Sequence, residues 1–183
     1  MWKIVAVVAG VALVAFIVFV ATRGTRARPA AFPVAPVATL PLGSPAPAFA
    51  LPRLSGGAPV TLASTQGTPT VVNFFASWCR DCQAELGNFA TLSARTAGRV
   101  AIVGVDANDA DGAAARALLT AAHATYPVGV DSQAATATAY LLTALPVTFF
   151  LDAQGRVVHV SFGTQSLAQL THWTDRIAPG AAA

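Results

Sequence analysis

The sequence predicts an α/β domain in which helices pack on a mixed sheet, opened by a β-hairpin and preceded by one membrane-spanning helix. Three observations predict it. Short β-prone runs alternate with helical periodicities through the middle of the chain. The last two strands flank a tight turn and so run antiparallel. Near the N-terminus a long stretch carries no charge. Composition agrees: of 183 residues, 55% are hydrophobic and 10% charged, and the mean hydropathy is +0.59. A soluble domain usually carries about 25% charged residues, so part of this chain is expected away from water. The length suits one domain of roughly 100–150 residues with an appendage. High apolar content with a net charge of only +3 excludes a disordered chain.

Residues 1–22 read as the anchor. Ile4 to Ala21 is a run of 18 uncharged residues, and a helix of that length covers about 27 Å, close to the hydrocarbon core of a bilayer. A cleavable signal peptide has an apolar stretch of about 7–15 residues ending at small residues, and no such site stands before Thr22-Arg23. The run is apolar on every face, which suits lipid better than a surface helix. Trp2 is placed for the interface. Lys3 flanks one side and Arg23, Arg26 and Arg28 the other. Taken alone, those flanks keep the domain in the cytoplasm, but long domains translocate largely regardless of charge. Residues 23–47 form a linker, with Pro29, Pro33, Pro36, Pro41, Pro45 and Pro47 among Ala and Val. Such a segment favours an extended spacer, up to about 75 Å long.

Residues 48–183 form the domain. Ala48–Leu51 and Pro59–Leu62 are short alternating runs around Ser55-Gly56-Gly57, which predicts the hairpin. Thr70–Phe75 is almost continuously apolar, as a strand buried on both faces should be. From Cys82 the spacing of Leu86, Phe89, Ala90 and Ser93 makes one helical face, ending near Gly98. A second buried strand covers Val100–Val105. Ala110–Ala124 reads as a helix, Tyr126–Val130 as a strand and Gln133–Leu142 as another helix. Val147–Leu151 and Arg156–Val160 flank the turn Asp152–Gly155. Ser166 to Ile177 closes the chain as a helix capped by Ser166. From residue 48 onward seven Arg stand against eight Asp and Glu. That near-neutral domain lacks the basic stripe of a nucleic-acid reader, so no nucleic-acid partner is expected.

The chemistry concentrates at Trp78-Cys79-Arg80-Asp81-Cys82, which holds the two cysteines of the chain where a buried strand turns into a helix. As a structural staple the pair would close too small a ring to stabilise much. Zinc normally wants four ligands, and His123, His159 and His172 are scattered, so no metal is expected. A dithiol cycling with a disulfide is the reading that remains. Cys79 falls at the helix N-terminus, where unpaired N–H groups favour a thiolate, with Arg80 adding positive charge. The combination should pull its thiol from about 8.5 towards 7 or below. Cys79 would attack a substrate disulfide and Cys82 would resolve the mixed disulfide. Glu85, three residues beyond Cys82 on the same helical side, is either the general base for Cys82 or an ordinary acid favouring the helix dipole. Gly56-Gly57 is a turn signal rather than a phosphate cradle, and no cofactor is expected.

The stretch Val71-Val72-Asn73-Phe74-Phe75-Ala76-Ser77-Trp78-Cys79, the paired cysteines, Glu85, and Leu145-Pro146-Val147-Thr148-Phe149-Phe150-Leu151-Asp152 together resemble the TlpA/ResA branch of the thioredoxin superfamily. The resemblance runs from about Gly43 to the C-terminus. It implies a thioredoxin-like fold and a membrane-anchored thiol-disulfide oxidoreductase facing outward from a bacterial cytoplasmic membrane. Many relatives are reductants, some serving cytochrome c maturation. The implied partners are protein disulfides and a transmembrane dithiol donor, or an acceptor if the chain is an oxidase; a monomer is expected. Pro146 matches the family's cis-proline, which exposes the Leu145 backbone to a substrate chain. Asn73 stands where thioredoxin proper has a buried acid, which strengthens the case for Glu85. Trp78 either shields the dithiol beside the substrate groove or simply packs, and Arg80 and Asp81 flank the same groove. Two positions depart from the family: Asp81 replaces a common Pro, and Gly87 another. Asp81 suits the helix start but opposes thiolate formation, so the potential does not carry over.

Four functions are therefore weighed: a reductase of exported disulfides, an oxidase that forms them, a thiol peroxidase and a non-enzymatic peptide adaptor. Peroxiredoxins resemble Thr-x-x-Cys around their reactive cysteine, whereas position 76 here is Ala. Retention of both cysteines and Pro146 argues against the adaptor. Reductase and oxidase differ in potential, not in motif.

Overall fold

The protein is described from a computed structural model, which covers residues 39–182. The expected anchor, residues 1–22, and most of the expected linker lie outside the described residues. No helix among the described residues is long and apolar enough to cross a membrane. The segment from Thr39 to Pro47, expected as linker, packs on the domain, so the folded unit begins earlier than residue 48. Leu40 is buried, Gly43 N–H donates to the Val157 carbonyl at 2.7 Å, and Pro45 bridges Arg156.

The hairpin forms from β1 (Ala50–Leu51) and β2 (Val60–Thr61), shorter than expected, and β2 runs into a 3-10 turn at Leu62–Thr65. Next come β3 (Thr70–Phe75), α1 (Arg80–Thr96), β4 (Ala101–Ala107), α2 (Gly112–Ala121) and β5 (Val128–Asp131). The chain finishes with α3 (Ala135–Ala139), β6 (Val147–Leu151), β7 (Val157–Phe162) and α4 (Leu167–Ile177). The central sheet has the order β5-β4-β3-β6-β7. β3 runs parallel to β4, β4 parallel to β5, and β6 is antiparallel to both β3 and β7.

All six residues of β3 are buried because a central strand is covered on both faces. Val71, Phe75, Ile102 and Phe150 face Leu86, Phe89 and Leu92 of α1 and Leu170 of α4. Val72, Phe74, Val105 and Phe149 face Tyr140 and the hairpin residues Leu51 and Val60. The hairpin also protects a sheet edge: Leu54 N–H reaches the Val128 carbonyl and Val130 N–H the Pro52 carbonyl, both at 2.9 Å. The approach is close enough that a Cβ on Gly129 would lie 2.8 Å from Leu51 Cβ.

Several boundaries differ from the expected ones for local reasons. The buried face of α1 is Cys82, Glu85, Leu86, Phe89, Leu92 and Thr96, not the Ala90–Ser93 side. The helix ends at Ala97 in the left-handed conformation, just before Gly98. β4 continues two residues past Val105 and carries Asp106 into the buried sheet. β5 starts beyond Pro127, which has no N–H to give a ladder. The expected Gln133–Leu142 helix is a single short turn, closed off by positive φ at Ala134 and Leu141. Ser166 caps α4 as expected, and Gln169 completes a capping box.

Candidate active site

β3 delivers Ala76-Ser77-Trp78 to the start of α1, where Cys79 is the N-cap residue in extended conformation. Its Sγ accepts the Cys82 backbone N–H at 3.2 Å. The two cysteines are joined, with an S–S distance of 1.99 Å and Cα atoms 5.3 Å apart. Cys79 is 7% exposed and Cys82 wholly buried, so Cys79 is the sulfur within reach of a partner. A sulfur at this position sits on the positive end of the helix dipole, which favours its thiolate once reduced. Arg80 and Asp81 are both exposed, and the Asp81 carbonyl accepts the Thr164 hydroxyl at 3.2 Å.

One helical turn below, Glu85 is fully buried. Its Oε1 accepts from Asn73 Nδ2 at 2.8 Å, and its Oε2 accepts from the Gln165 backbone N–H at 2.7 Å. Burial outweighs those two hydrogen bonds and pushes the carboxyl from 4.5 up to about 7. A group so placed both holds and releases a proton at neutral pH. Asn73 Nδ2 also reaches the Thr148 hydroxyl at 3.3 Å, tying β6 to the same spot.

The Leu145-Pro146 peptide bond is cis. In the β3–β6 register Phe74 pairs with Val147, so Pro146 lies one step on, at the sheet end where β3 turns into the cysteine loop. The Pro146 carbonyl accepts Gly163 N–H at 2.9 Å. Trp78 is 59% exposed, and its indole N–H donates to the Asn108 carbonyl at 3.1 Å. Together with Ala107, Ala137, Leu142 and Leu145 it lines a depression of about 190 Å³. The fold thus gathers Trp78, the cysteines, Leu145 and Pro146 at one end of the sheet, with Glu85 beneath.

Three partners were not singled out from sequence. Gln165 reaches Glu85 through its backbone, which no side-chain pattern signals. Asp109 Oδ2 accepts the Ser77 N–H at 2.6 Å, while Gln83 Nε2 donates to the Ser77 carbonyl at 2.8 Å. The one available signal was Val105-Asp106-Ala107-Asn108-Asp109, acids just beyond an apolar strand.

Comparison with known proteins agrees with this geometry. The AhpC/TSA family model matches residues 42–160. A thiol:disulfide interchange protein DsbE homolog from Paracoccus denitrificans is 37% identical over 89 residues, 49% of this chain and 48% of that protein. The thiol-disulfide oxidoreductase ResA of Bacillus thuringiensis is 27% identical over 139 residues, 75% of this chain and 79% of that one. A solved thiol:disulfide interchange protein of the thioredoxin family from Chlorobium tepidum superposes with a TM-score of 0.66 at 26% identity, covering 76% of this chain and 99% of that one. With its paired cysteines on a thioredoxin-like sheet, the chain belongs to the AhpC/TSA family, and it is a thiol-disulfide oxidoreductase similar to the ResA and DsbE proteins.

Proposed function

We propose that this oxidoreductase works as a membrane-tethered reductase of disulfides in exported proteins, on the outer side of the cytoplasmic membrane. The observation that carries the chemistry is the Cys79–Cys82 pair at the N-cap of α1, with Glu85 buried one turn below. In the reduced form the Cys79 thiolate attacks one sulfur of a substrate disulfide. A mixed disulfide forms and one substrate thiolate leaves. Glu85 takes the Cys82 proton, and the Cys82 thiolate attacks Cys79 Sγ. The second substrate thiolate departs and the Cys79–Cys82 bond closes. Two electrons pass to the substrate, and a transmembrane dithiol donor restores the pair. Pro146 and Leu145 present backbone to the substrate chain, with Trp78, Arg80 and Asp81 along the groove.

What supports the location is the uncharged run Ile4–Ala21 followed by a proline-rich spacer, together with the persistence of disulfides outside the cytosol. The resemblance to ResA-type proteins makes apocytochromes c one substrate class to test first.

The deciding measurement is the reduction potential of the couple in the full chain, equilibrated against glutathione and thioredoxin. A reductase is expected near the thioredoxin value of about −270 mV, whereas a value near −120 mV makes the chain an oxidase. Cys82→Ser should accumulate mixed disulfides through Cys79 in intact cells, and Cys79→Ser none. An adaptor would accumulate neither. Protease accessibility of the domain in spheroplasts tests the side of the membrane.

A further inference from the structure

Beside the dithiol loop lies a second buried acid that the exchange reaction does not use. Asp106, at the end of β4, is fully buried, and neither of its carboxyl oxygens has a hydrogen-bond partner among the described residues. Its sheet neighbours are Phe75 on β3 and Val130 on β5, neither of them charged. The group that bears on it is another carboxyl, that of Asp109. Asp109 in turn is engaged by the active-site loop: its Oδ2 takes the Ser77 N–H at 2.6 Å and its Oδ1 takes Asp111 N–H at 2.9 Å. Ser77 is the second residue ahead of Cys79, and the neighbouring Asn108 carbonyl holds the Trp78 indole. The Asn108–Asp109 corner is therefore a brace on the segment that presents Cys79.

Of the other ionisable groups on the elements around this corner, Glu85, Asp111, Arg116 and Asp131 are engaged with other partners. Glu85 on α1 holds Asn73 and Gln165. Asp111 caps α2 through the Ala113 and Ala114 amides. Arg116 on α2 donates to the Leu54 carbonyl at 3.3 Å. Asp131 at the end of β5 takes the Ala137 amide at 2.8 Å. Tyr126, ahead of β5, is buried with its hydroxyl unpaired among the described residues. A carboxylate left in such a place without a donor is costly, and it neutralises instead. Once protonated, Asp106 becomes a donor, and Asp109 is the carboxyl that bears on it.

We propose that Asp106 is a positioning residue for the dithiol loop. As a neutral acid it shares its proton with Asp109 and fixes that carboxylate on the Ser77 amide. When it ionises, the proton goes to solvent, two carboxylates face each other, and Ser77 is released. The titration behaviour agrees with the geometry. Burial, with the Asp109 charge adding to it, pushes Asp106 up to about 7. Burial also acts to raise Asp109, but the Ser77 and Asp111 donors outweigh it and hold that carboxyl below its ordinary range. The pair carries one proton below neutrality and none well above, so the brace is closed in mild acid and open in mild base.

The test is amide hydrogen exchange at Ser77, read by NMR as a protection factor at pH 6 and pH 8 on the oxidised full chain in detergent micelles. In the wild type the protection should fall about tenfold across that interval, the size expected for one charge-assisted hydrogen bond. Asp106→Asn supplies a donor that cannot ionise, so its Ser77 protection should be the same at both pH values. Glu85→Gln should keep the wild-type step, which rules out Glu85 as its source, and its loss in Asp106→Asn assigns it to Asp106. A flat wild-type response overturns the proposal, as does a step that survives in Asp106→Asn or disappears in Glu85→Gln. If Asp106→Asn fails to fold, a flat wild-type response or loss of the step in Glu85→Gln still overturns the proposal. No substrate is present in the assay, so its failure leaves the proposed reductase activity standing.

Discussion

Replacing Glu85 by Gln deletes a charge that the fold buries beneath its dithiol helix, and the expected effect follows from one displacement. The carboxyl titrates at about 7 in the native protein, against 4.5 when free of its surroundings. Each pH unit of that difference is worth about 1.4 kcal/mol. Between those two values the native chain keeps a proton that the unfolded chain has lost. Stability from this source is therefore complete below pH 4.5, falls as pH rises, and is lost above about 7. The whole loss amounts to about 3 kcal/mol. Gln does not ionise, so the variant lacks the slope. Its amide must set an N–H against one of the donors that Glu85 accepts, Asn73 Nδ2 or the Gln165 backbone, which costs about 1–3 kcal/mol at every pH. The variant should be clearly weaker than wild type at pH 4 and should draw level with it or pass it by pH 8. Urea unfolding of the oxidised full chain in detergent micelles, followed by circular dichroism at pH 4, 6 and 8, measures this difference. Asp106 is present in both proteins, so its own pH dependence cancels. A gap between the two that stays constant across the range would refute the reasoning. In the reduced protein the same variant should slow escape from the mixed disulfide by about a hundredfold, the lower range for a lost general base.

Two further outcomes come from other parts of the fold. Gly129→Ala places a Cβ 2.8 Å from Leu51 Cβ; this close to the backbone neither side yields easily, so thermal unfolding should show a loss of about 1–3 kcal/mol. Disulfide exchange below the melting transition should be unaffected. Trp78→Ala removes one wall of the depression beside the cysteines and the indole bond to Asn108. Its kcat/KM for a folded protein disulfide should fall about tenfold, equivalent to about 1.4 kcal/mol of lost contact, while reduction of a small aromatic disulfide changes far less. Equal losses on both substrates would make Trp78 a packing residue instead.

Legibility in the sequence tracked how local each feature is. The bounds of β3 were readable because an unbroken β-prone run needs no distant information, and the Ser166 cap because its partner Gln169 lies within one turn. The position of Cys79 at a helix N-cap followed from the strand-to-helix change at Trp78. Burial was harder. Periodicity alone put Ala90 and Ser93 on the inner face of α1, whereas the sheet beneath and α4 alongside select Glu85, Leu92 and Thr96. The reading of β4 stopped at Asp106 because a charge normally marks the end of a buried strand. The strand runs on, and the acid is buried beside a second carboxyl.

By itself, then, the order of residues determined the alternation of strands and helices, the pairing of two cysteines across one helical turn, and the candidate base three residues further on. All of these depend on spacings of a few residues along a single element. Which carboxyls lose contact with water without enough donors to offset it, and so titrate near neutrality, was decided by tertiary structure. Glu85 is enclosed by Asn73 and by Gln165 from the other end of the domain, and Asp106 by two neighbouring strands and the Asp109 loop. Desolvation depends on everything that packs around a group, and that is settled only when distant segments meet.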